Sequence, residues 1–227
     1  MNGLPVLLIF VLLAATVIAA VIYSYVAARK RRESLAILAT RLSLSFIPDK
    51  NRDLPDRFEF LNKLRQGDNR YAFNVLSGDY QGQAVLVFDY HYETHSTDSK
   101  GHRTTHHHLF SFFILMLPMR FPELTIVREG MFSKIAQAFG YDDIDLESAE
   151  FSRSFCVRSK NKRFAYDICN PPMMEYLLAN RDLSIEIEGQ ALALAFDSCL
   201  SAPAVESNLK RLRMIQSLIP GHLLTQT

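Results

Sequence analysis

The first 32 residues constrain this chain more than any later segment. Leu4 to Ala28 is an almost unbroken apolar run, and the basic cluster Arg29-Lys30-Arg31-Arg32 follows it directly. A helix needs about 20 apolar residues to cross a bilayer core about 30 Å thick. Because the run exceeds that length, the sequence predicts one membrane-spanning helix near the N-terminus.

A cleaved signal peptide is the alternative to a retained anchor. Signal peptides begin with a basic segment and carry an apolar stretch of about 7–15 residues before a cleavage site of small residues. Here Met1-Asn2-Gly3 has no basic side chain, and only Val26-Ala27-Ala28 offers a weak cleavage-like triplet. We therefore interpret the segment as a retained anchor.

The basic cluster predicts both orientation and a lipid partner. Lys and Arg beside a span favour the cytoplasmic side. We thus expect a single-pass protein of the cell membrane, with its N-terminus outside and its C-terminal domain in the cytoplasm. Each basic residue near an anionic lipid surface contributes about 1 kcal/mol. The candidate membrane-surface residues are therefore Arg29, Lys30, Arg31 and Arg32.

Charge and composition limit what the rest of the chain does. Without the basic cluster, the chain has 21 basic against 24 acidic side chains, a net charge of −3. Phosphate neutralisation dominates nucleic-acid affinity, so this balance argues against a nucleic-acid partner. The sequence predicts an anchor at 1–28, a basic juxtamembrane helix at 29–43 and a cytoplasmic domain at 44–227.

Apolar periodicity predicts an α+β domain. Alternating residues bounded by turn residues predict strands at 44–47, 71–76, 84–92, 106–117, 124–127, 151–157, 183–188 and 192–196. We expect Pro118 to end one strand and Gly189 to turn the chain between the last two. Helical spacing predicts helices at 131–139, from the Asn170-Pro171 cap to about 180, and from Ser201 onward.

Strands that follow one another through short turns favour an antiparallel sheet. The expected fold is therefore an N-terminal transmembrane helix, a largely antiparallel sheet and a C-terminal amphipathic helix. A partly closed barrel, as in pleckstrin-homology domains, is a variant of this arrangement.

Histidines are concentrated in one predicted hairpin. Asp89, His91, Glu93 and His95 alternate with aromatic residues, which places the four side chains on one strand face. With a hairpin tip near residues 99–100, His91 lies about opposite His108, and Glu93 opposite His106. Imidazoles and a carboxylate on adjacent strands bind Zn²⁺ or a similar metal. The candidate ligands are His91, Glu93, His106 and His108.

A solvated polar hairpin is the competing interpretation. His91 and His95 lie about 13 Å apart on a regular strand, and the chain has no H-E-x-x-H or paired C-x-x-C motif. A pH-sensitive loop is a third interpretation, since histidine titrates near neutrality. The acidic run at 142–147 lacks the calcium-binding spacing of an EF-hand, and we interpret it as a solvated linker.

The sequence favours binding over catalysis. It contains no G-x-S-x-G, Walker A or G-x-G-x-x-G motif. We therefore expect a membrane-anchored binding or scaffolding domain without a cofactor, with a protein partner at the membrane. The alternative is a metal-binding enzyme or sensor that uses a transition metal such as zinc at the hairpin 89–108. Lipid recognition by the basic cluster is a third option.

Four segments carry a resemblance to a known family. They are Gln66–Gly78, Phe88–Thr94, Phe139–Asp145 and Ser148–Ser152. The chain resembles a family of uncharacterised bacterial membrane proteins with one N-terminal transmembrane span, over nearly its whole length. The resemblance implies that the histidine hairpin and the acidic run are family features. It implies no activity, cofactor or catalytic residue.

Overall fold

The structure, a computed structural model, describes residues 3–128, 144 and 146–224. Within them the helices and strands are α1 (Gly3–Arg41), β1 (Ser45–Ile47), α2 (Asp53–Arg57), β2 (Asp68–Tyr80), β3 (Gln83–Thr97), β4 (Arg103–Arg128), α3 (Ala149–Ser154), β5 (Phe155–Arg158), α4 (Lys162–Ile168), α5 (Pro171–Ala179), β6 (Ile185–Phe196), α6 (Ala202–Leu218) and α7 (Gly221–Leu224). The helix predicted at 131–139 and most of the acidic run at 142–147 lie outside the described residues.

The strands form one sheet in which every described pair is antiparallel. β1 to β4 are neighbours in chain order. β4 then pairs with β6 along much of its length and with β5 near its end. In the described part of the chain β1 and β6 do not pair with each other, so no strand pairing closes the sheet into a complete barrel.

β4 is longer than the sequence predicts. It continues through Pro118 and Pro122 to Arg128. Its register with β6 shifts twice, between Met116 and Phe121 and again before Leu124. Bulges leave backbone positions outside the ladder, and proline is tolerated there because it has no N–H to donate. The strand therefore passes both prolines without ending.

Two other predictions are wrong. Gly189 does not turn the chain but lies inside β6, opposite Phe121 and with a φ of 57°. Glycine adopts this left-handed conformation without steric cost, so Gly189 can occupy the bulged position. The strand predicted from residue 151 begins only at 155, because Ser148 accepts the N–H of Phe151 and starts the short helix α3.

Both faces of the sheet are covered. On one face, the end of α1 packs with α4, α5 and α6 in a core that includes Leu35, Val87 and Leu209. On the other face, α2 and the turns after it form a second core, in which Leu61 lies with Phe88. Successive residues of β3 alternate between these cores, as expected for side chains on a strand.

α1 changes character near Arg31. Before the basic cluster that begins at Arg29 the helix is apolar, and its described side chains are exposed on all sides, which is typical of a segment surrounded by lipid. It is the one helix of the described residues that is long and apolar enough to span a membrane. After Arg31, one stripe at helical spacing, Leu35, Leu38 and Ala39, is buried in the first core.

The predicted α+β fold class is confirmed. A long apolar helix precedes a largely antiparallel sheet, and α6 lies near the C-terminus. Asn170 caps α5 and Ser201 caps α6, each with proline in the first turn, as the sequence predicts.

Candidate functional site

A buried carboxylate joins the anchor helix to the sheet. Arg31 Nη1 lies 3.2 Å from Asp89 Oδ2, and the Asp89 side chain has no exposed surface. The same oxygen accepts a 2.7 Å hydrogen bond from Asn74 Nδ2. The other oxygen accepts a 2.7 Å bond from the backbone N–H of Leu200. α1, β2, β3 and the segment before α6 therefore meet at one side chain.

Burial dominates the electrostatics of Asp89. It raises the pKa of this carboxyl, while Asn74, Leu200 and Arg31 each act to lower it. A buried carboxylate is costly unless donors surround it. Here the chain itself supplies those donors, so we call this group the closed site.

Three more polar side chains continue the same face of β3. His91, Glu93 and His95 follow Asp89 at alternate positions, as the sequence predicts. From β4, His107 pairs directly with Glu93.

His91, Glu93 and His107 form a compact triangle, which we call the open site. His91 Nε2 lies 3.1 Å from His107 Nδ1. Glu93 Oε1 lies 3.4 Å from that His107 nitrogen and 3.9 Å from His91 Nε2. The His91 side chain is 8% exposed and that of His107 is 63% exposed. The triangle thus has one buried side and one side open to solvent.

Asn69 orients two members of the open site. Its backbone oxygen lies 3.2 Å from His91 Nδ1. A carbonyl only accepts, so Nδ1 carries the proton and Nε2 presents its lone pair to the centre of the triangle. The Asn69 side chain donates to Glu93 Oε1 at 2.6 Å. The Tyr71 ring stacks on His91, with 4.5 Å between centroids, and fixes the plane of the imidazole.

Both asparagines lie at irregularities of β2. Its pairing with β3 shifts register at two places, one spanning Asn69 and the other spanning Asn74. Their φ values are 49° and 50°, a left-handed backbone that asparagine adopts more readily than most residues. Bulges of this kind re-aim side chains. The same arrangement occurs twice: a left-handed asparagine of β2 donates its amide to an acid of β3.

Neighbouring groups lower the pKa of the Glu93 carboxyl. The hydrogen bond from Asn69 lowers the pKa of this carboxyl, and His107, His91 and His95 lower it further. Among the described residues, His91 and His107 are the imidazoles within 4 Å of the Glu93 carboxylate, and no Lys or Arg pairs with it.

The register of the hairpin differs by one residue from the prediction. The sequence placed His91 opposite His108, and Glu93 opposite His106, but Glu93 pairs with His107. A shift of one residue moves every side chain to the other face. The structure therefore brings together two of the four predicted ligands, His91 and Glu93, and adds His107.

His106 and His108 point to the opposite face. The ring of His108 stacks on Tyr92, and its Nε2 lies 2.8 Å from Thr94 Oγ1. His106 Nε2 lies 3.0 Å from Ser96 Oγ. Both imidazoles are thus engaged in cross-strand contacts away from Glu93.

The hairpin tip contains a signal that predicts the observed register. Asp98 Oδ1 accepts the N–H groups of Lys100 and His102, both at 2.8 Å, and Gly101 has a φ of 83°. Aspartate followed by glycine three residues later marks a turn. A turn over 98–102 places Glu93 opposite His107. In contrast, no sequence motif marks the roles of Asn69 and Asn74.

The predicted membrane-surface residues divide into two groups. Arg29, Lys30 and Arg32 are exposed, whereas Arg31 turns inward to the closed site. Arg32 also lines, with Lys50 and Tyr71, a cavity of ≈ 210 Å³.

The β3–β4 hairpin extends beyond its neighbours. Pairing of β2 with β3 stops at Glu93, and pairing of β6 with β4 starts at Ser111. Residues 94–106 therefore form a two-stranded projection beside which no described strand lies, and we call it the arm.

Two contacts fix the direction of α1 relative to the arm. Leu44 packs on Gly78, which pairs with Val85. Arg31 contacts Asp89. Leu44 therefore lies near the start of β3, and Arg31 lies nearer to the arm. Followed from Leu44 back to Arg31, the chain runs in the direction of the arm. The membrane span and the arm leave the domain at the same end.

Comparison with known proteins identifies one similar fold. No protein-family model matches the chain, and no curated protein matches it. The crystal structure of the mycobacterial trehalose monomycolate transport factor A, TtfA, is similar with a TM-score of 0.59 and 12% sequence identity. The match covers 88% of this chain and 98% of that chain. At this identity the similarity concerns the fold. The apolar N-terminal helix that the family resemblance implies is present, while the family itself stays a prediction.

Proposed function

We propose that this chain is a membrane-anchored accessory protein. One helix holds the folded domain at the cytoplasmic surface of the bilayer, and the arm binds a protein partner there. In this proposal the protein acts by binding and positioning, not by turnover of a substrate.

The observation that carries the proposal is the continuity of α1. The helix runs from the apolar span into the core, where Leu35 and Leu38 are buried. Arg31 then ties the same helix to Asp89. A continuous helix is a far stiffer connection than a Gly/Ser-rich tether. The domain is thus held at one height and in one rotation relative to the span, which suits a protein that positions a partner.

The arm is the surface that this geometry presents to a partner. It leaves the domain at the same end as the span, and its residues 103–106 are exposed. Arg29, Lys30 and Arg32 are exposed where the span ends and suit anionic lipid headgroups. We therefore place the arm at the membrane surface, within reach of another membrane protein.

The similarity to TtfA supports an accessory role. TtfA is described as a transport factor, and its fold matches most of this chain. We extend to this chain only the general role of an accessory factor, because 12% identity carries no ligand or substrate with it.

Site-specific photo-crosslinking in cells tests the proposal. A photo-reactive residue replaces the exposed Thr104 on the arm of the full-length chain, or the exposed Ser217 on α6 as a control. We expect a discrete adduct with a membrane protein from position 104 and none from position 217.

A flexible insertion tests the role of the stiff connection. Ten Gly/Ser residues between Lys30 and Arg31 free the domain from the span but keep Arg31 beside Asp89. We expect the adduct from position 104 to be strongly reduced. An undiminished adduct, or the absence of a membrane-protein adduct in the wild-type chain, would contradict the proposal.

A further inference from the structure

We infer that His91, Glu93 and His107 bind one divalent first-row transition-metal ion, with Zn²⁺ as the best-fitting probe. The ion would lie at the open site, held by His91 and Glu93 of β3 and by His107 of β4. This inference goes beyond the accessory role and does not depend on it.

The spacing of the three ligand atoms matches a tetrahedral centre. Zinc lies about 2.0–2.2 Å from histidine nitrogen and carboxylate oxygen, so neighbouring ligand atoms of a tetrahedron are about 3.3–3.5 Å apart. The observed separations are 3.1, 3.4 and 3.9 Å. Displacements of less than about 1 Å, chiefly by the exposed His107, bring the three atoms to that geometry.

The donor set selects the class of metal. Two imidazole nitrogens and one carboxylate oxygen suit zinc and its first-row neighbours. Mg²⁺ and Ca²⁺ prefer sites made of oxygen ligands. We therefore expect Zn²⁺ and Co²⁺ to bind, and Mg²⁺ not to compete with them.

The surroundings of the triangle resemble those of known metal ligands. A ligating histidine usually donates its other ring N–H to a carbonyl or carboxylate, and His91 Nδ1 does so to the Asn69 oxygen. Because His91 Nε2 has no proton, the 3.1 Å contact requires His107 Nδ1 to donate when no ion is bound. Metal binding at Nδ1 therefore requires the neutral His107 to carry its proton on Nε2 instead, without net loss of a proton.

Access and coordination number are also compatible with an ion. The 63% exposure of the His107 side chain provides an entry path. Three protein ligands leave a fourth tetrahedral position for water. The closed site offers no such position, since Arg31, Asn74 and Leu200 already occupy the oxygens of Asp89.

Metal titration of the full-length chain tests the inference. The protein is purified in detergent without a polyhistidine tag, stripped with a chelator and titrated with Co²⁺, then with Zn²⁺. We expect one equivalent of Co²⁺ to bind with the visible absorption bands of a tetrahedral complex, and Zn²⁺ to displace it.

Three variants assign the ligands. His107→Gln and Glu93→Gln should lower Co²⁺ and Zn²⁺ affinity by more than about tenfold, since even outer-shell partners change affinity by 10–100-fold. His106→Gln is the matched control, because His106 neighbours His107 in sequence but points to the other face. It should bind as the wild type does.

Two results would overturn the inference: a wild-type chain that binds neither ion, or an equal loss of affinity in His106→Gln and His107→Gln. His107 is exposed, so we expect its variant to unfold at the wild-type temperature in the absence of metal. If Glu93→Gln does not fold, His107→Gln decides alone. Failure here leaves the crosslinking test of the accessory role unaffected.

Discussion

The closed and open sites are built alike and completed differently. Asp89 and Glu93 lie four residues apart on one face of β3, and each accepts an amide hydrogen bond from a left-handed asparagine of β2. The closed site is completed by Arg31 of the chain itself. The open site faces two histidines, and no Lys or Arg among the described residues pairs with its acid.

The difference shows how one local structure leaves one acid fully bonded and another accessible. In the closed site the acid is buried and fully bonded, so it fixes the anchor helix to the domain. In the open site the acid is partly exposed and lies beside two imidazoles whose ring nitrogens could hold a metal ion. Burial therefore separates a structural carboxylate from one available for binding.

Removing the acid of the closed site should have the largest effect. Asp89→Ala leaves Arg31, Asn74 and the Leu200 N–H without their acceptor. Breaking a buried ion pair in this way costs about 3–5 kcal/mol of unfolding free energy. Denaturant unfolding of the full-length chain in detergent measures it.

Glu93→Ala is the matched control for that experiment. In metal-free protein we expect a much smaller loss, because solvent can replace the partners of Glu93. Equal losses in the two variants would remove the distinction between a structural and a binding acid.

Zinc should stabilise the chain through the open site alone. A ligand that binds only the folded state adds about 2.7 kcal/mol at 100 times its dissociation constant. Thermal unfolding with and without Zn²⁺ should show this gain in the wild type and in His106→Gln. The same gain in His107→Gln would place the ion elsewhere.

Removing the cation of the closed site should have a moderate effect. Arg31→Ala leaves Asp89 buried, but the 27% exposure of the Arg31 side chain allows water to reach the gap. Loss of a hydrogen bond to a charged group costs about 1.5–3 kcal/mol. Lys30→Ala, one residue earlier and exposed, should change the unfolding free energy by less than about 0.5 kcal/mol. Equal unfolding free energies for Arg31→Ala and Lys30→Ala would show that the ion pair with Asp89 does not stabilise the attachment of the anchor helix.

The two acids should give opposite pH dependences, the smallest of these effects. The lowered pKa of Glu93 means that its stabilisation is present above the ordinary glutamate pKa and is lost as pH falls. The raised pKa of Asp89 means that its contribution is greatest in acid and declines as pH rises through the folded-state pKa.

Stability differences between the wild type and two variants isolate these contributions. In metal-free protein from about pH 3 to 7, the advantage of the wild type over Glu93→Gln should shrink toward acid. Its advantage over Asp89→Asn should shrink toward neutral pH. If the two stability differences changed with pH in the same direction, the electrostatic distinction between the sites would be contradicted.

Local patterns in the sequence predicted much of this fold. The apolar run before Arg29, the Asn170 and Ser201 caps and the alternation along β3 each depend on neighbouring residues. Such features are visible without knowledge of the partner strand. The face that carries Asp89, His91 and Glu93 was therefore predictable.

Features that depend on a partner strand were not predictable from the sequence. The one-residue error in the hairpin register exchanged His107 for His106 and His108, because every second residue faces the same side. Pro118 and Gly189 indicated a strand end and a turn, but both lie at bulges formed between β4 and β6.

The closed site was hidden for a different reason. In the sequence Arg31 belongs to a basic cluster whose evident role is membrane topology, and nothing separates it from its neighbours. Only the packing of α1 on the sheet brings it to Asp89. Likewise, the left-handed backbone of Asn69 and Asn74 arises from bulges that no sequence motif marks.

Zinc-edge anomalous diffraction from crystals of the full-length chain tests the central distinction most directly. We expect one peak about 2.0–2.2 Å from His91 Nε2, His107 Nδ1 and Glu93 Oε1, with Asp89 still paired to Arg31. No peak within the triangle, or a peak at the arm histidines instead, would contradict the assignment of the open site to metal binding.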